Sequence, residues 1–390
     1  MCPLYKRLNA GGSNRFSYFV GRKAQENFLN LRANGTLADM LSLFGVGNAM
    51  QLQTPVSLPP QVLSLTPKSR VMLCGSCFAQ EVGKRMEASL PSGQVMANPF
   101  GVLYNPLSIA RFLKSLLHPT WPDVSDLMFR APDGLIHYWE ASTLFAASTA
   151  AELSEKLEGQ WVAAKKLLSA ADLLVVTLGT DHAYFLREGN MLVANCHKMP
   201  AAFFEVRILD LHEMQETWVD LLYELHRFCP DLKVVFTLSP YRYAKYGMHE
   251  NALTKARLLL LVDALCQPKS DVKQMQDPIS PSAFGETGSG ETNADNLYFP
   301  AYEILLDELR DYRFYEPDML HPSAQAVDYI WGLFKKWAFS AELLVYAKEK
   351  ETLLRSFGHR SLHPDSPEAE VFQQKLKRRV EAFEGKWGVK

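Results

Sequence analysis

Val71 to Met86 reads VMLCGSCFAQEVGKRM: a short apolar run, a Gly75-Ser76-Cys77 corner, then a segment whose apolar residues recur at helical spacing. Phe78, Val82 and Met86 mark one face of a helix that begins just after Gly75. A buried strand that turns directly into a helix leaves Ser76 and Cys77 at the first helical turn. Unpaired backbone N–H groups and the helix dipole there favour a developing negative charge. A thiol in such a place has a lowered pKa, and a hydroxyl becomes a nucleophile if a base reaches it. The same residues also fit a plainer assignment, with Ser76 as an N-cap and Cys77 as a small buried hydrophobe.

Working outward, two further apolar runs end in small or turn-forming residues: DLLVVTLGT (Asp172 to Thr180) and DLKVVFTLSP (Asp231 to Pro240). With Arg70 to Gly75 they read as buried strands. Helical patterns lie between and around them at Phe78 to Leu90, Pro106 to Leu117, Ala150 to Leu168 and His212 to Phe228. This alternation predicts an α/β protein with a parallel sheet covered on both faces. Ligands in such a sheet gather at the carboxyl ends of the strands. The Gly75-Ser76-Cys77 corner, the TLGTDH segment (Thr177 to His182) and the LSPYR segment (Leu238 to Arg242) therefore share one rim.

The bulk properties set the surroundings. A chain of 390 residues, 47% hydrophobic and 22% charged, is an ordinary globular one, large enough for a full core. Its net charge of -2 gives no electrostatic support to a nucleic-acid partner. No apolar stretch approaches the roughly 18 residues that span a bilayer, and no secretory signature opens the chain. Cysteines 2, 74, 77, 196, 229 and 266 are too few and too scattered for a disulfide framework, so a reducing, cytoplasmic compartment is expected. Residues 1–49 read as an N-terminal extension, 50–340 as the main domain and 341–390 as a helical extension packed on it. The stretch 270–296, rich in Gly, Pro, Ser and acidic residues, reads as an insertion or mobile flap.

Near the far end stands DMLHPS, Asp318 to Ser323. Pro322 is expected to open a helix, leaving His321 in the loop before it. An Asp three residues ahead can accept from the imidazole N–H, fix the tautomer and stabilise the imidazolium as it forms. A nucleophile candidate at one end and an Asp-His pair at the other together point to catalysis. Lys198 and Arg242, on predicted rim loops, fit either an anionic ligand or a salt bridge. Tyr298, Phe299, Tyr302, Tyr312, Phe314 and Tyr315 fit either a stacking surface or core.

The string GSCFA (Gly75 to Ala79), with NPFGVLYNPLSI (Asn98 to Ile109), TLGT (Thr177 to Thr180), NCHK (Asn195 to Lys198), the SPYR segment with Asn251 and Lys255, DMLHPS and RSLHPDSPEAEVF (Arg360 to Phe372), resembles the GSCFA-domain proteins, a bacterial group related to the SGNH/GDSL hydrolases. The resemblance implies a three-layer, doubly wound, flavodoxin-like fold of the SGNH-hydrolase type, with no cofactor and no metal. It implies a nucleophile after the first strand, oxyanion donors on the next two rim loops, and a D-x-x-H segment that supplies orienter and base, here Asp318 and His321. In the register of the related G-D-S block, Cys77 stands where the serine nucleophile would be, with Ser76 beside it and Gly75 before it. The oxyanion glycine is placed at Gly101. The third block departs from the pattern: Gly179-Thr180-Asp181-His182 stands where G-x-N-D is expected, and an anionic Asp181 is a poor oxyanion donor. Asn98, Asn105 or Asn195 is the substitute, with His197 next to the last as a further substrate contact.

The implied activity is ester hydrolysis or O-acyl transfer on a small-molecule or carbohydrate ester. Two rival functions belong to other classes. One is a non-catalytic binding module on the same fold, for which Asp181 is the best argument. The other is a dithiol redox protein using Cys74 and Cys77. A zinc site from Cys74, Cys77, Cys196 and His197 matches in ligand type but lacks two tight ligand pairs.

Overall fold

The three apolar runs form the middle of a parallel sheet, and the residues around them explain how it is built. The computed structural model describes residues 53–267, 295–357 and 367–388. The expectations for residues 1–49, for nearly all of 270–296 and for the start of the RSLHPDSPEAEVF block lie outside the described residues. Residues from Pro55 onward cluster as one compact unit.

Along the chain, β1 (Val71–Gly75) leads through Ser76 into α1 (Cys77–Ser89) and then β2 (Val95–Ala97). Helix α2 (Pro106–Ser115) follows, then a small antiparallel sheet of β3 (Met128–Arg130), β4 (Ile136–Tyr138) and β5 (Ala146–Ala147). Helix α3 (Ala150–Leu168) opens on a capping box in which Thr149 Oγ1 accepts from Glu152 N and Glu152 Oε2 accepts from Thr149 N. It returns the chain to β6 (Leu173–Leu178). A second antiparallel sheet, β7 (His182–Leu186), β8 (Leu192–Val193) and β9 (Phe204–Ile208), precedes α4 (Leu211–Phe228) and β10 (Lys233–Leu238). Then come α5 (Met248–Cys266), β11 (Asn296–Tyr298), α6 (Ala324–Ala338), α7 (Ala341–Phe357) and α8 (Pro367–Trp387).

The five-stranded sheet is all parallel, in the order β11-β10-β6-β1-β2. Counting only its own strands, this is the order 2-1-3-4-5, with the topological switch point between β1 and β6. Side chains of a strand alternate between faces. Met72, Cys74, Leu174, Val176, Val234 and Phe236 enter a core shared with α2, α3, α4 and α5. Val71, Leu73, Leu173, Val175 and Val235 enter a second core with α1, α6 and α7. The protein is thus a three-layer α/β fold. On the α1 side a cavity of about 10 Å³ lies between Phe78, Val82, Thr177, Thr237, Phe299 and Trp331. Phe299 is core, whereas Tyr312 stands in solvent.

Helix α6 starts later than expected. Ser323, not the residue before Pro322, is its N-cap, with Oγ accepting from Ala326 N at 3.3 Å. Pro322 instead pairs across an isolated bridge with Tyr315.

Candidate active site at the sheet switch point

The corner after β1 is held from three sides. Gly75 N donates to Asn98 Oδ1 (2.8 Å), Ser76 N donates to Thr177 O (3.1 Å), and Leu103 N donates to Gly75 O (3.0 Å). Gly75 has φ +135°, and a Cβ there would lie 2.1 Å from Thr177 O. Only glycine fits this crossing of β1 against β6.

Ser76 is 1% exposed, and its Oγ accepts from Phe78 N at 3.2 Å, capping α1. Cys77 is half-buried at the first helical position. Burial pushes its thiol pKa up; the N–H groups of Phe78 and of Cys77 itself pull it down, as does the charge of Lys255, while Glu81 opposes them. At rest the sulfur is therefore a thiol that needs a base.

The neighbouring loops close around this corner. Gly101 N donates to Asn98 O at 2.7 Å, so that N–H is already in use. Asn98 Nδ2 lies 3.5 Å from Ser76 O and 3.4 Å from Gln80 Oε1. Tyr104 O accepts from both Gly179 N (2.9 Å) and Thr180 N (3.1 Å), and Asn105 caps α2 by accepting from Ser108 N. A Cβ on Gly179 would lie 3.6 Å from Ser76 Cβ. Gly75, Ser76, Cys77, Asn98, Gly101, Asn105 and Gly179 thus gather at the switch point.

Asp181 turns elsewhere. Its Oδ1 accepts from Thr254 Oγ1 (2.7 Å) and faces His182 Nδ1 (3.0 Å), while Oδ2 pairs with Arg257 of α5. Burial works to raise its pKa, but these bonds outweigh it and hold the carboxyl at about 2. Asn195 and His197 lie in the connection from β8 to β9. Asn195 Oδ1 accepts from His197 N, and the His197 ring sits among Phe129, His137 and Trp139. Burial, helped by His137, lowers the His197 pKa to about 4. The ring contacts of His197 belong to the small-sheet core, while Asn195 Oδ1 also accepts from Thr143 Oγ1 (3.3 Å), next to the Ser142 that packs on Gly101.

Asp318 and His321 form a self-contained turn. Asp318 Oδ1 accepts from Leu320 N (2.9 Å) and His321 N (3.0 Å), and Oδ2 lies 2.5 Å from His321 Nδ1. The backbone bond from His321, its side chain and the Leu320 N–H hold this carboxyl at about 2. Two contacts join the turn to the rim. Arg242 N donates to Leu320 O (3.0 Å), and the Tyr241 ring lies 4.1 Å from the His321 ring. The Tyr241 hydroxyl is raised in pKa first by burial and then by the charge of Asp318.

Helix α5 adds Lys255, which is 1% exposed. Its Nζ donates to Gly179 O (2.9 Å) and Ser239 O (2.8 Å), tying the ends of β6 and β10 together. Burial lowers its pKa to about 7, against the charges of Asp181 and Cys77. The signal for Lys255 is its register: with Asn251, Leu258 and Val262 it falls on the buried face of α5, where lysine is foreign. No local pattern announces Tyr241.

The family model described as "GSCFA family" matches residues 70–334, from the start of β1 through most of α6. The chain belongs to the GSCFA family. No curated protein matches it. In this GSCFA chain Cys74 sits 1% exposed on the sheet face opposite α1, where burial pushes its thiol up, so Cys74 and Cys77 are not presented as a surface dithiol. Among the described residues no three His, Cys, Asp or Glu side chains are grouped around one ion position, and no helix is long and apolar enough to cross a membrane.

Proposed function

We propose that this GSCFA protein is an acyl-transfer enzyme of the SGNH-like kind, an ester hydrolase or O-acyltransferase acting on a hydroxylated, carbohydrate-type ester. Cys77 is the nucleophile, His321 the base and Asp318 its orienter. The observation that carries this reading is the Asp318–His321 pair, with Nδ1 engaged by the carboxylate and the imidazole packed against Tyr241 of the rim loop after β10. With Nδ1 so engaged, Nε2 is the ring nitrogen able to accept a proton. The 1% exposure of Ser76 and its cap on α1 support Cys77 over Ser76 as the nucleophile.

The reaction runs in two steps. His321 Nε2 takes the Cys77 proton as sulfur attacks the ester carbonyl. The N–H groups of the first α1 turn and the Lys255 ammonium stabilise the oxyanion. The C–O bond breaks, the leaving alkoxide takes the proton from His321, and a thioester remains on Cys77. Water or an acceptor hydroxyl, deprotonated by the same imidazole, then attacks the thioester and returns the thiol.

The deciding experiment incubates the full chain with p-nitrophenyl acetate and longer acyl esters and locates the adduct by mass, beside Ser76→Ala, Cys77→Ala and His321→Ala. A hydroxylamine-labile adduct on Cys77, lost in Cys77→Ala and suppressed in His321→Ala but kept in Ser76→Ala, is expected. No adduct on Cys77 in any protein defeats the reading in favour of the second one, a non-catalytic binding module. The burial that keeps the Cys77 thiol protonated favours that alternative.

A further inference from the structure

The loop after β10 and the helical turn facing it carry buried donors with nothing to donate to. Ser239 Oγ, Arg242 Nε and Asn251 Nδ2 are all buried atoms without a hydrogen-bond partner, and Ser239 and Asn251 are 1% and 2% exposed. The Asn251 amide is oriented by Tyr243 N, which donates to Oδ1 at 2.8 Å, so its unpartnered end is the NH₂. Arg242 is in no ion pair among the described residues. Asp181, whose charge Lys255 feels together with that of Arg242, is taken up by Arg257, Thr254 and His182.

These groups stand beside the candidate chemistry. Arg242 follows the tyrosine packed against His321, its own N–H is tied to Leu320 O, and its charge is felt by Lys255. Lys255 in turn bonds Ser239 O one helical turn beyond Asn251. Buried polar groups are as a rule satisfied, and unsatisfied ones call for an explanation. Here the unmet capacity is almost all donor, and two cations flank it. A ligand that answers it is rich in acceptor lone pairs and negatively charged, which a guanidinium binds bidentately.

We propose that Arg242, Asn251 and Ser239 bind an anionic group, a carboxylate or a phosphate, carried by the substrate next to the ester that Cys77 attacks. The proposal rests on the acyl-transfer reading for what the anion is attached to, but not for its binding. It turns the site from a general esterase into one selective for acidic esters.

The test is calorimetric binding of glutarate and of inorganic phosphate to the full chain carrying Cys77→Ser, at constant ionic strength, with glutaramide as the neutral control. One or both anions bind and glutaramide does not; the tighter anion identifies the group as carboxylate or phosphate. Arg242→Gln weakens binding roughly 10- to 100-fold, as expected for hydrogen bonds to a charged group, and Arg242→Lys recovers part of it. Asn251→Asp, which keeps the acceptor for Tyr243 N but turns a donor into an anionic oxygen, abolishes binding and serves if Arg242→Gln does not fold. Binding of neither anion, or equal binding by the Cys77→Ser protein with and without Arg242→Gln or Asn251→Asp, overturns the proposal. Because the thiol is absent from this measurement, such a failure leaves the Cys77 thioester reading standing, and failure of the thioester leaves the binding result standing.

Discussion

Replacing Asp318 by Asn separates orientation of His321 from the architecture of its turn. Asp318 uses its two oxygens differently: Oδ1 receives the N–H groups of Leu320 and His321 at 2.9 and 3.0 Å, and Oδ2 alone faces His321 Nδ1. An asparagine keeps the first pair through its carbonyl and sets an NH₂ donor against Nδ1. Nδ1 must then accept, the ring proton moves to Nε2, and the nitrogen that should take the Cys77 proton is already protonated. The rate of Cys77 acylation falls by about 10⁴-fold, the loss that such a tautomer reversal causes in a Ser-His-Asp triad. Asp318→Ala loses the tautomer control less severely but also gives up both backbone bonds, loosening a turn in which Met319 has φ 59°. The assay is the rate of thioester formation from p-nitrophenyl acetate, read by intact mass and assigned to Cys77 by peptide mapping, with thermal unfolding as the control for folding. An Asp318→Asn protein that unfolds like wild type and acylates Cys77 within about threefold of it refutes the assignment of Asp318 and His321. The carboxyl, held at about 2, stays ionised from pH 4 upward, so Asp318 contributes no acid limb to the rate profile above that pH.

Three other perturbations read different parts of the fold. Gly75→Ala forces a φ of +135° on alanine and drives its Cβ to 2.1 Å from Thr177 O; it destabilises by about 3 kcal/mol or more in urea titration and suppresses Cys77 acylation, and a stable, active variant contradicts the crossing described. Thr237→Val removes a buried Oγ1 that has no partner and borders a cavity too sparsely polar to hold water; stability rises by about 1 kcal/mol with an unchanged urea slope, and a loss of stability means the hydroxyl is satisfied. For Lys255→Met the sign follows from proton binding: burial lowers the lysine pKa from 10.5 to about 7, so between those values the unfolded chain holds a proton that the folded one has shed. Wild-type stability therefore gains on the variant as pH rises from 7 towards 10.5, by about 5 kcal/mol at 1.36 kcal/mol per pH unit, and parallel urea series with no such divergence defeat the assignment.

The sequence carries the centre of the fold and loses its edges. Strands β1, β6 and β10 are continuous apolar runs because both faces are covered, and α1 to α4 keep clear apolar stripes, so their bounds are readable to within one or two residues at most ends. Strands β2 and β11 are only three residues long, too short for any periodicity, and the two antiparallel sheets are made of equally short pieces. Helix α5 hides because Asn251, Thr254 and Lys255 occupy its buried face and blur the contrast on which a helical pattern depends. The corner at Ser76 and Cys77 and the Asp318–His321 turn are legible because each is local. The approach of the Asp318–His321 turn to the rim through Tyr241 and Arg242, the diversion of Asp181 to Arg257, and the place of His197 among Phe129, His137 and Trp139 are tertiary facts, and nothing in the spacing of those residues encodes them.

The bonds from Lys255 Nζ to Gly179 O and Ser239 O number two, and that count has a consequence of its own. A protonated lysine offers three N–H bonds and a neutral amine two. The clasp between the ends of β6 and β10 therefore stays closed whether or not the nitrogen is charged, and what titrates near neutrality is the field around the thiol, with the carbonyls that frame it held in place. Mechanical and electrical roles fall on one atom yet are separable, so a small change of pH alters the charge beside Cys77 without loosening the clasp.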